Sequence, residues 1–335
     1  MSSDDEQVLG TPRHLRSRQV STDAGVSLRS ARRFWRALGF ANVDDALEAF
    51  TDADVDALRR VAGLVRDGVV DEPTALGMTR AVGRSVDRMA SWQLQLLAEV
   101  VAAEAAEQAD GPGRTDVLTP GQEAQRVADL IARLTDDLEP LVVYAWRRHL
   151  ASSLERFVTE RSPQPDARQM VRSVGFADLV SFTRVVRRLT ERDLAALVQH
   201  FEATTSDIVA SHGGRVVKTV GDEVLFVAQK VPAAAAIALD IAEEMGHDAM
   251  LPDVRVGLAT GTVVARLGDV FGTTVNRAHR LTSIARPGAV LVDDGTASVL
   301  GETSGFSCQP LRRRSLRGLG SVSPWLLRRR SGRGG

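Results

Sequence analysis

The sequence predicts an α+β protein whose N-terminal part is all helical, and three observations support this fold class. The chain of 335 residues is 44% hydrophobic, enough to bury a core. Residues 21–160 repeat apolar side chains at helical spacing, without the alternation typical of strands. After residue 168, short apolar runs alternate with helical segments, which is typical of a sheet packed against helices.

The N-terminal part is predicted to begin as a flexible arm and to continue as helices. Residues 1–20 are polar and contain arginines without periodicity, which predicts the arm. Residues that favour helix starts are Ser27, Thr51 or Asp52, and Glu72 or Pro73. The predicted helices cover residues 28–38, 52–65, 72–108 and 119–160, the last either continuous or broken at Pro140. We therefore predict a helical domain over 21–160 and a Pro-rich, charged linker over 161–168.

Strands and helices alternate in the C-terminal part. The predicted strands cover residues 171–176, 215–219, 224–228, 254–259, 263–267 and 289–292, with strand-like pieces near Phe306 and Trp325. The predicted helices cover residues 182–212 as one or two segments, 232–245, 273–284 and a short stretch ending at Leu300. This order predicts a ferredoxin-like antiparallel sheet with helices on one face over 169–330, followed by a tail over 331–335.

Charge and cysteine content bear on the class of protein. The 42 basic and 43 acidic side chains give a formal charge of −1, which argues against a general binder of nucleic acid or anionic membranes. A single cysteine and the lack of a leader or a bilayer-length apolar stretch predict a cytoplasmic protein. Only Lys218 and Lys230 are lysines, so each calls for a chemical reason.

Two aspartates are candidates for a metal site. Asp178 ends an apolar strand just before a helix, and Asp222 lies in the turn between two later strands. Carboxylates at the ends of neighbouring strands can hold Mg²⁺, which keeps its other positions for water and phosphate oxygens. Taken singly, a helix cap or an ordinary turn residue is the commoner role for each aspartate, and it is their placement as a pair that favours a metal site.

A second group of candidates surrounds the helix predicted over 273–284. Asn276 and Arg280 are four residues apart and therefore share one helix face. An amide suits a hydroxyl group, and a guanidinium suits a phosphoryl group. The alternative is a solvated helix face, with Asp269 as a turn residue between glycines.

Taken in order, these segments resemble the catalytic domain of class III nucleotide cyclases. The segments are Phe176-Ala-Asp178-Leu-Val-Ser-Phe-Thr183, Lys218-Thr-Val-Gly-Asp222, Gly268-Asp269 and Val275-Asn276-Arg-Ala-His-Arg280. The chain most closely resembles soluble actinobacterial adenylyl cyclases that carry an N-terminal helical regulatory domain, autoinhibitory and in some cases pH-sensing. This resemblance implies conversion of ATP to cyclic AMP and pyrophosphate.

The resemblance implies a role for each candidate. Asp178 and Asp222 would bind two Mg²⁺ or Mn²⁺ ions, and Lys218 and Asp269 would select adenine. Asn276 would orient the ribose, and Arg280 would stabilise charge at the α-phosphate. Phe182 and Thr183 belong to the expected phosphate-binding turn, and Arg317 would contact the polyphosphate, although a solvated position in the basic tail suits Arg317 equally well.

The resemblance also implies a homodimer with two shared active sites, because in the family the metal ligands and the other site residues come from opposite chains. Two residues depart from the motifs of the family. Ser181 replaces the usual glycine of the first motif, and His279 precedes Arg280, where we expect a solvated ring.

DNA binding is the alternative for the N-terminal part. Residues 20–39 read like a helix-turn-helix with four arginines on its second helix, Arg29, Arg32, Arg33 and Arg36. The runner-up function is therefore a transcriptional regulator with a degenerate nucleotide-sensing domain. We favour regulation of the catalytic domain, because the surrounding half is acidic, and His149 is a candidate pH sensor.

Overall fold

The chain divides into two units, Met1–Glu160 and Arg161–Gly335. The computed structural model describes residues 8–40, 43–109, 119–160, 169–187, 189–266, 268–316 and 320–330. The predicted linker, the predicted tail, Arg317 and the first seven residues of the predicted arm lie outside the described residues. Within the described part, no helix combines the length and the apolar character needed to cross a bilayer.

Helices make up the first unit. They are α1 (Ser17–Asp23), α2 (Leu28–Leu38), α3 (Asp52–Arg66), α4 (Glu72–Ala109) and α5 (Pro120–Glu160). Ser27 begins α2 by accepting a hydrogen bond of 3.1 Å from the amide of Ser30, and Thr51 begins α3 in a capping box with Asp54. Helix α5 continues through Pro140, because a proline removes one backbone hydrogen bond and leaves those of the neighbouring turns.

The predicted arm is partly folded into the core of this unit. Leu15 pairs with Phe50 in an isolated β-bridge, and Val20 on α1 is fully buried. Both pack in one cluster with Trp35, whose ring stacks on Phe50 with centroids 4.4 Å apart. The expectation of a flexible arm up to residue 20 is therefore wrong for this stretch, where arginines flank a few apolar residues that the core buries.

The second unit combines ten strands with five helices in its described residues. The strands are β1 (Gln169–Leu179), β2 (Arg215–Val220), β3 (Glu223–Ala228), β4 (Val254–Arg266), β5 (Asp269–Phe271), β6 (Val290–Val292), β7 (Phe306–Pro310), β8 (Arg314–Leu316), β9 (Gly320–Val322) and β10 (Trp325–Arg329). The helices are α6 (Phe182–Val186), α7 (Glu191–Ser211), α8 (Val231–His247), α9 (Thr273–Ile284) and α10 (Asp294–Gly301).

The main sheet has the order β2-β3-β1-β4-β6-β10-β7, with β5 paired to β4. Its first four strands follow the predicted ferredoxin-like order, and all their pairings are antiparallel. Strand β4 is one strand rather than the two predicted, because it pairs with β1 from Val254 opposite Leu179 to Val264 opposite Gln169.

Helices cover both faces of the sheet, and the expectation of one covered face is wrong. Helices α7, α8 and α10 share one core cluster with Val224, Phe226 and other residues of that face. Helix α9 packs on the second face, against Phe176 and Leu225. The two faces explain why β3 is apolar at every position after Glu223, as strands buried on both sides are.

Candidate active site

Strand pairing brings the two predicted metal ligands together. Asp178 is the penultimate residue of β1, and the amide of Leu179 donates a hydrogen bond of 3.0 Å to the backbone oxygen of Asp222. Asp222 lies in the turn between β2 and β3, where Gly221 adopts a φ of 62°. Asp178 also lies directly opposite Glu223, the first residue of β3. Three carboxylates therefore meet at one end of the sheet.

The electrostatics of these carboxylates fit a cation. Burial raises the pKa of Asp222, and the negative charge of Asp178 adds to the effect. Burial and the same neighbours, Asp178 and Asp222, raise the pKa of Glu223 to about 7. Crowded carboxylates that resist ionisation are stabilised by a positive ion placed among them.

The donor set fits Mg²⁺ or a similar hard ion. The described residues include no group of three or more His, Cys, Asp and Glu side chains arranged around one metal position. A site built on Asp178 and Asp222 alone meets the needs of Mg²⁺, which often binds one or two carboxylates and completes its shell with water and substrate phosphates.

Arg255 is a member of this site that sequence reasoning missed. It lies opposite Asp178 on β4, and its Nε donates a hydrogen bond of 2.5 Å to Asp178 Oδ2. The apolar alternation of Val254, Val256 and Leu258 signalled that Arg255 faces away from their core, but the register that sets it beside Asp178 is a long-range property. The guanidinium of Arg255 neutralises the charge of Asp178.

The predicted adenine-selecting pair is in contact. Lys218 Nζ donates a hydrogen bond of 2.7 Å to Asp269 Oδ2. Burial disfavours the charge of Asp269, but the hydrogen bonds from Lys218 and from the amide of Val270 outweigh it, so the pKa of Asp269 lies below its usual value. Asp269 is thus an anion beside the Lys218 cation, and the pair presents a hydrogen-bond donor and an acceptor side by side.

A β-bulge directs Lys218 to this position. The register of β2 on β3 passes from Val216 opposite Phe226 to Lys218 opposite Leu225, so Val217 is an extra residue. Cross-strand partners point to the same face, and Leu225 belongs to the second face, on which α9 packs. In a regular register Val217 would pair with Leu225, and Lys218 would lie opposite Val224 and face the core on the first face.

Asn276 and Arg280 lie on the exposed side of α9, as predicted for residues four apart. Among the described residues, neither side chain makes a hydrogen bond or ion pair with Asp178 or Asp222 of the same chain. The structure therefore does not bring these two groups into direct contact within one chain.

His279 is less solvated than expected. Its Nε2 lies 3.6 Å from Glu223 Oε1, and its ring meets Phe176 edge-on with centroids 5.3 Å apart. Burial and the charge of Arg280 lower the pKa of His279. The side chain is 45% exposed, so the expectation of a solvated ring holds only in part, because α9 lies against β1 and brings His279 to the carboxylates.

The predicted phosphate-binding turn begins α6. Ser181 precedes the helix with a φ of 60°, in the left-handed region that favours glycine. Phe182 packs against the core of the first face, so its side chain has a structural contact there. Thr183 follows within α6, and α6 is five residues long.

Comparison with known proteins adds a family match and three similar proteins. A model of the adenylate and guanylate cyclase catalytic domain matches residues 167–329. A protein named adenylate cyclase from Streptomyces coelicolor is 44% identical over 98% of this chain and 89% of its own length. Another protein of that name, from Glutamicibacter nicotianae, is 38% identical over 100% of this chain and 83% of its own length. A protein named pH-sensitive adenylate cyclase from Mycobacterium tuberculosis is 32% identical over 96% of this chain and 81% of its own length.

Proposed function

Since the chain belongs to the family of adenylate and guanylate cyclase catalytic domains, we propose that it is an adenylate cyclase, which converts ATP to 3′,5′-cyclic AMP and pyrophosphate. The resemblance seen in the sequence motifs is thereby confirmed, and the alternative of a degenerate nucleotide sensor is unsupported. The observation that carries the choice of ATP is the contact between Lys218 and Asp269.

This pair matches the hydrogen-bonding edge of adenine. The ammonium of Lys218 donates to ring N1, and the carboxylate of Asp269 accepts from the 6-amino group. Guanine presents an N–H at N1 and a carbonyl at C6, which reverses both polarities. Each mismatch leaves a buried polar group unpaired at a cost of about 1–3 kcal/mol, so ATP is preferred over GTP.

The remaining residues position the ribose and the phosphates. Asp178 and Asp222 would hold Mg²⁺ or Mn²⁺, two ions in each site, which when bound would polarise the ribose 3′-hydroxyl and neutralise the leaving pyrophosphate. Asn276 holds the ribose so that its 3′-oxygen is in line with the α-phosphorus. Arg280 donates to the α-phosphoryl oxygens as negative charge builds up there. We also assign polyphosphate contact to Arg317 and to the turn at Phe182 and Thr183.

We propose that the active site is shared between two chains. Asn276 and Arg280 are exposed and make no direct contact with the carboxylates of their own chain, which supports a site completed by a second copy. Two copies related by a two-fold axis would form two equivalent sites, and a single copy would be inactive.

We assign a regulatory role to the helical unit rather than DNA binding. Arg32 pairs with Asp45 at 2.6 Å and Arg33 with Glu72 at 2.8 Å, so carboxylates neutralise half of the four arginines that suggested DNA binding. The similarity to a pH-sensitive relative makes pH a candidate signal, with His149 on α5 as a candidate sensor. A mobility-shift assay with residues 1–160 should show no DNA binding.

The test of the proposed function is the formation of cyclic AMP by the purified chain supplied with Mn²⁺ and ATP. Replacing Asp222 by Ala should lower kcat/KM by about 100-fold or more, equivalent to about 2.7 kcal/mol. Asp207→Ala, on an exposed position of α7, is the matched control and should retain activity. Absence of cyclic AMP from both the full chain and residues 161–335 would overturn the proposal.

A further inference from the structure

A buried carboxylate fastens the helix that carries Asn276 and Arg280. Asp293 follows β6, and its side chain is 3% exposed. Its Oδ2 accepts a hydrogen bond of 3.0 Å from Nη1 of Arg277. Arg277 is adjacent to Asn276 and three residues before Arg280, so this ion pair holds the turn of α9 on which both lie.

The other oxygen of Asp293 is held by the framework of the unit. Oδ1 accepts hydrogen bonds from the amide of Thr296 at 3.0 Å and from its hydroxyl at 2.6 Å, which caps α10. The Thr296 hydroxyl lies 2.8 Å from that of Thr260 on β4, which lies 2.9 Å from that of Ser173 on β1. Because a carboxylate only accepts and each hydroxyl has one hydrogen, Ser173, Thr260 and Thr296 donate in turn towards Asp293. These hydrogen bonds therefore hold the Asp293 carboxylate in place independently of its ion pair with Arg277.

Asp293 connects the two faces of the sheet. Helix α10 belongs to the first face and α9 to the second. Close packing on β4 sets the distance of α9 from the sheet, since a Cβ built on Gly257 would lie 2.2 Å from the amide nitrogen of Thr282. The ion pair to Arg277 lies on the flank of the helix and therefore fixes its rotation, which sets the direction of Asn276 and Arg280.

We propose that Asp293 is a positioning residue for the cyclase reaction, acting through Arg277 on Asn276 and Arg280. The proposal rests on the roles assigned above to those two residues. It assigns Arg277 to the protein framework rather than to the substrate, because its guanidinium is engaged with Asp293. Displacing a catalytic group by about 1 Å can cost about 100-fold in rate, so a modest rotation of α9 has a large effect.

The variant Asp293→Asn separates this role from helix capping. Asparagine keeps an oxygen for Thr296 and caps helices as well as aspartate does, but it turns an amide N–H towards Arg277. We expect kcat to fall about 10-fold or more, with KM for ATP changed less than about 3-fold. Arg277→Leu should match this loss, and Arg277→Lys should recover part of it because an ammonium still pairs. Arg286→Leu removes an exposed arginine just beyond α9 and should leave kcat unchanged.

A double-mutant cycle with Arg280→Lys distinguishes positioning from partial unfolding. If Asp293 acts through the α9 residues, Asp293→Asn should lower kcat less than about 3-fold further in the Arg280→Lys background. If Asp293→Asn instead reduces the amount of folded protein, the losses of kcat caused by the two substitutions will multiply in full. That result overturns the inference, and so does an unchanged kcat of Asp293→Asn. An Arg280→Lys variant with full activity would overturn the proposed role of Arg280 itself, which is a separate failure.

Discussion

Ser181 carries backbone strain next to the proposed metal site. It is the one residue other than glycine that has a positive φ in the described part of the chain. A left-handed conformation costs a residue with a side chain about 1–2 kcal/mol, and glycine escapes most of this cost. We expect Ser181→Gly to raise the free energy of unfolding by about 1 kcal/mol, measured by urea denaturation. Ser283→Gly, inside helix α9, should lower the free energy of unfolding by about 0.5 kcal/mol. If glycine lowers stability at both positions, the backbone of Ser181 is not strained.

Glu223 links the stability of the metal-free protein to pH. Its pKa is raised from 4.5 to about 7, so the folded chain binds a proton that the unfolded chain releases between these values. The free energy of unfolding contributed by this group is therefore highest below pH 4.5 and declines as pH rises to about 7.

Glu223→Gln tests this linkage, because glutamine stays neutral. Urea denaturation in a chelating buffer at pH 5 and pH 8 should show a smaller decline for the variant than for the natural chain. Equal declines would rule out Glu223 as a source of the pH dependence.

Residues with a sequence signature could be predicted, and residues defined by strand register could not. Lys218 stood out because lysine is rare in this chain. In the structure its ammonium donates a hydrogen bond to Asp269, the partner that the motif implies. No local signal pairs Arg255 with Asp178 or Asp293 with Arg277, because the partners lie in different elements of the fold. Arginine is common here, so its presence at 255 carried no information.

At the level of elements, the β-bulge absorbs Val217, so that Lys218 lies opposite Leu225 on the second face. Deleting Val217 removes the extra residue and leaves this pairing unchanged, so we expect the preference for ATP over GTP, measured as the ratio of kcat/KM values, to stay within about 3-fold. Lys218→Met removes the proposed donor to ring N1 and should lower the ratio about 10-fold or more. If Lys218→Met preserves the ratio, Lys218 does not select the base, and a fall in the ratio for the deletion would contradict the pairing with Leu225.

Elements with strong local patterns were predicted well, and their arrangement less well. Helices α2 and α3 start where Ser27 and Thr51 predicted, because capping is a local interaction. The single long β4 was missed because the Gly and Thr residues at 260–262 look like a break, whereas pairing with β1 carries the strand through them. The packing of α9 on the second face is likewise tertiary.

At the level of the whole molecule, a shared site predicts complementation between inactive variants. Asp222→Ala lacks a proposed metal ligand, and Arg280→Ala lacks the proposed phosphate contact. Co-expressed with different tags and purified as a mixed dimer, the two should form one intact site out of two and show about half the natural activity. Each variant alone is the control and should be nearly inactive. A mixed dimer with no more activity than the separate variants would show that each site belongs to one chain.

The contact between Lys218 and Asp269 also has a consequence for chemical labelling. The chain has two lysines, and the other, Lys230, is exposed at the start of α8. Lys218 is 42% exposed, so an amine-reactive reagent has access to it. Acylation would remove the charge and all but one of the N–H donors, and it would place an acyl group where adenine is proposed to bind. Coupling this protein to a surface or a dye through its amines would therefore block nucleotide binding, whereas a terminal cysteine tag would spare it.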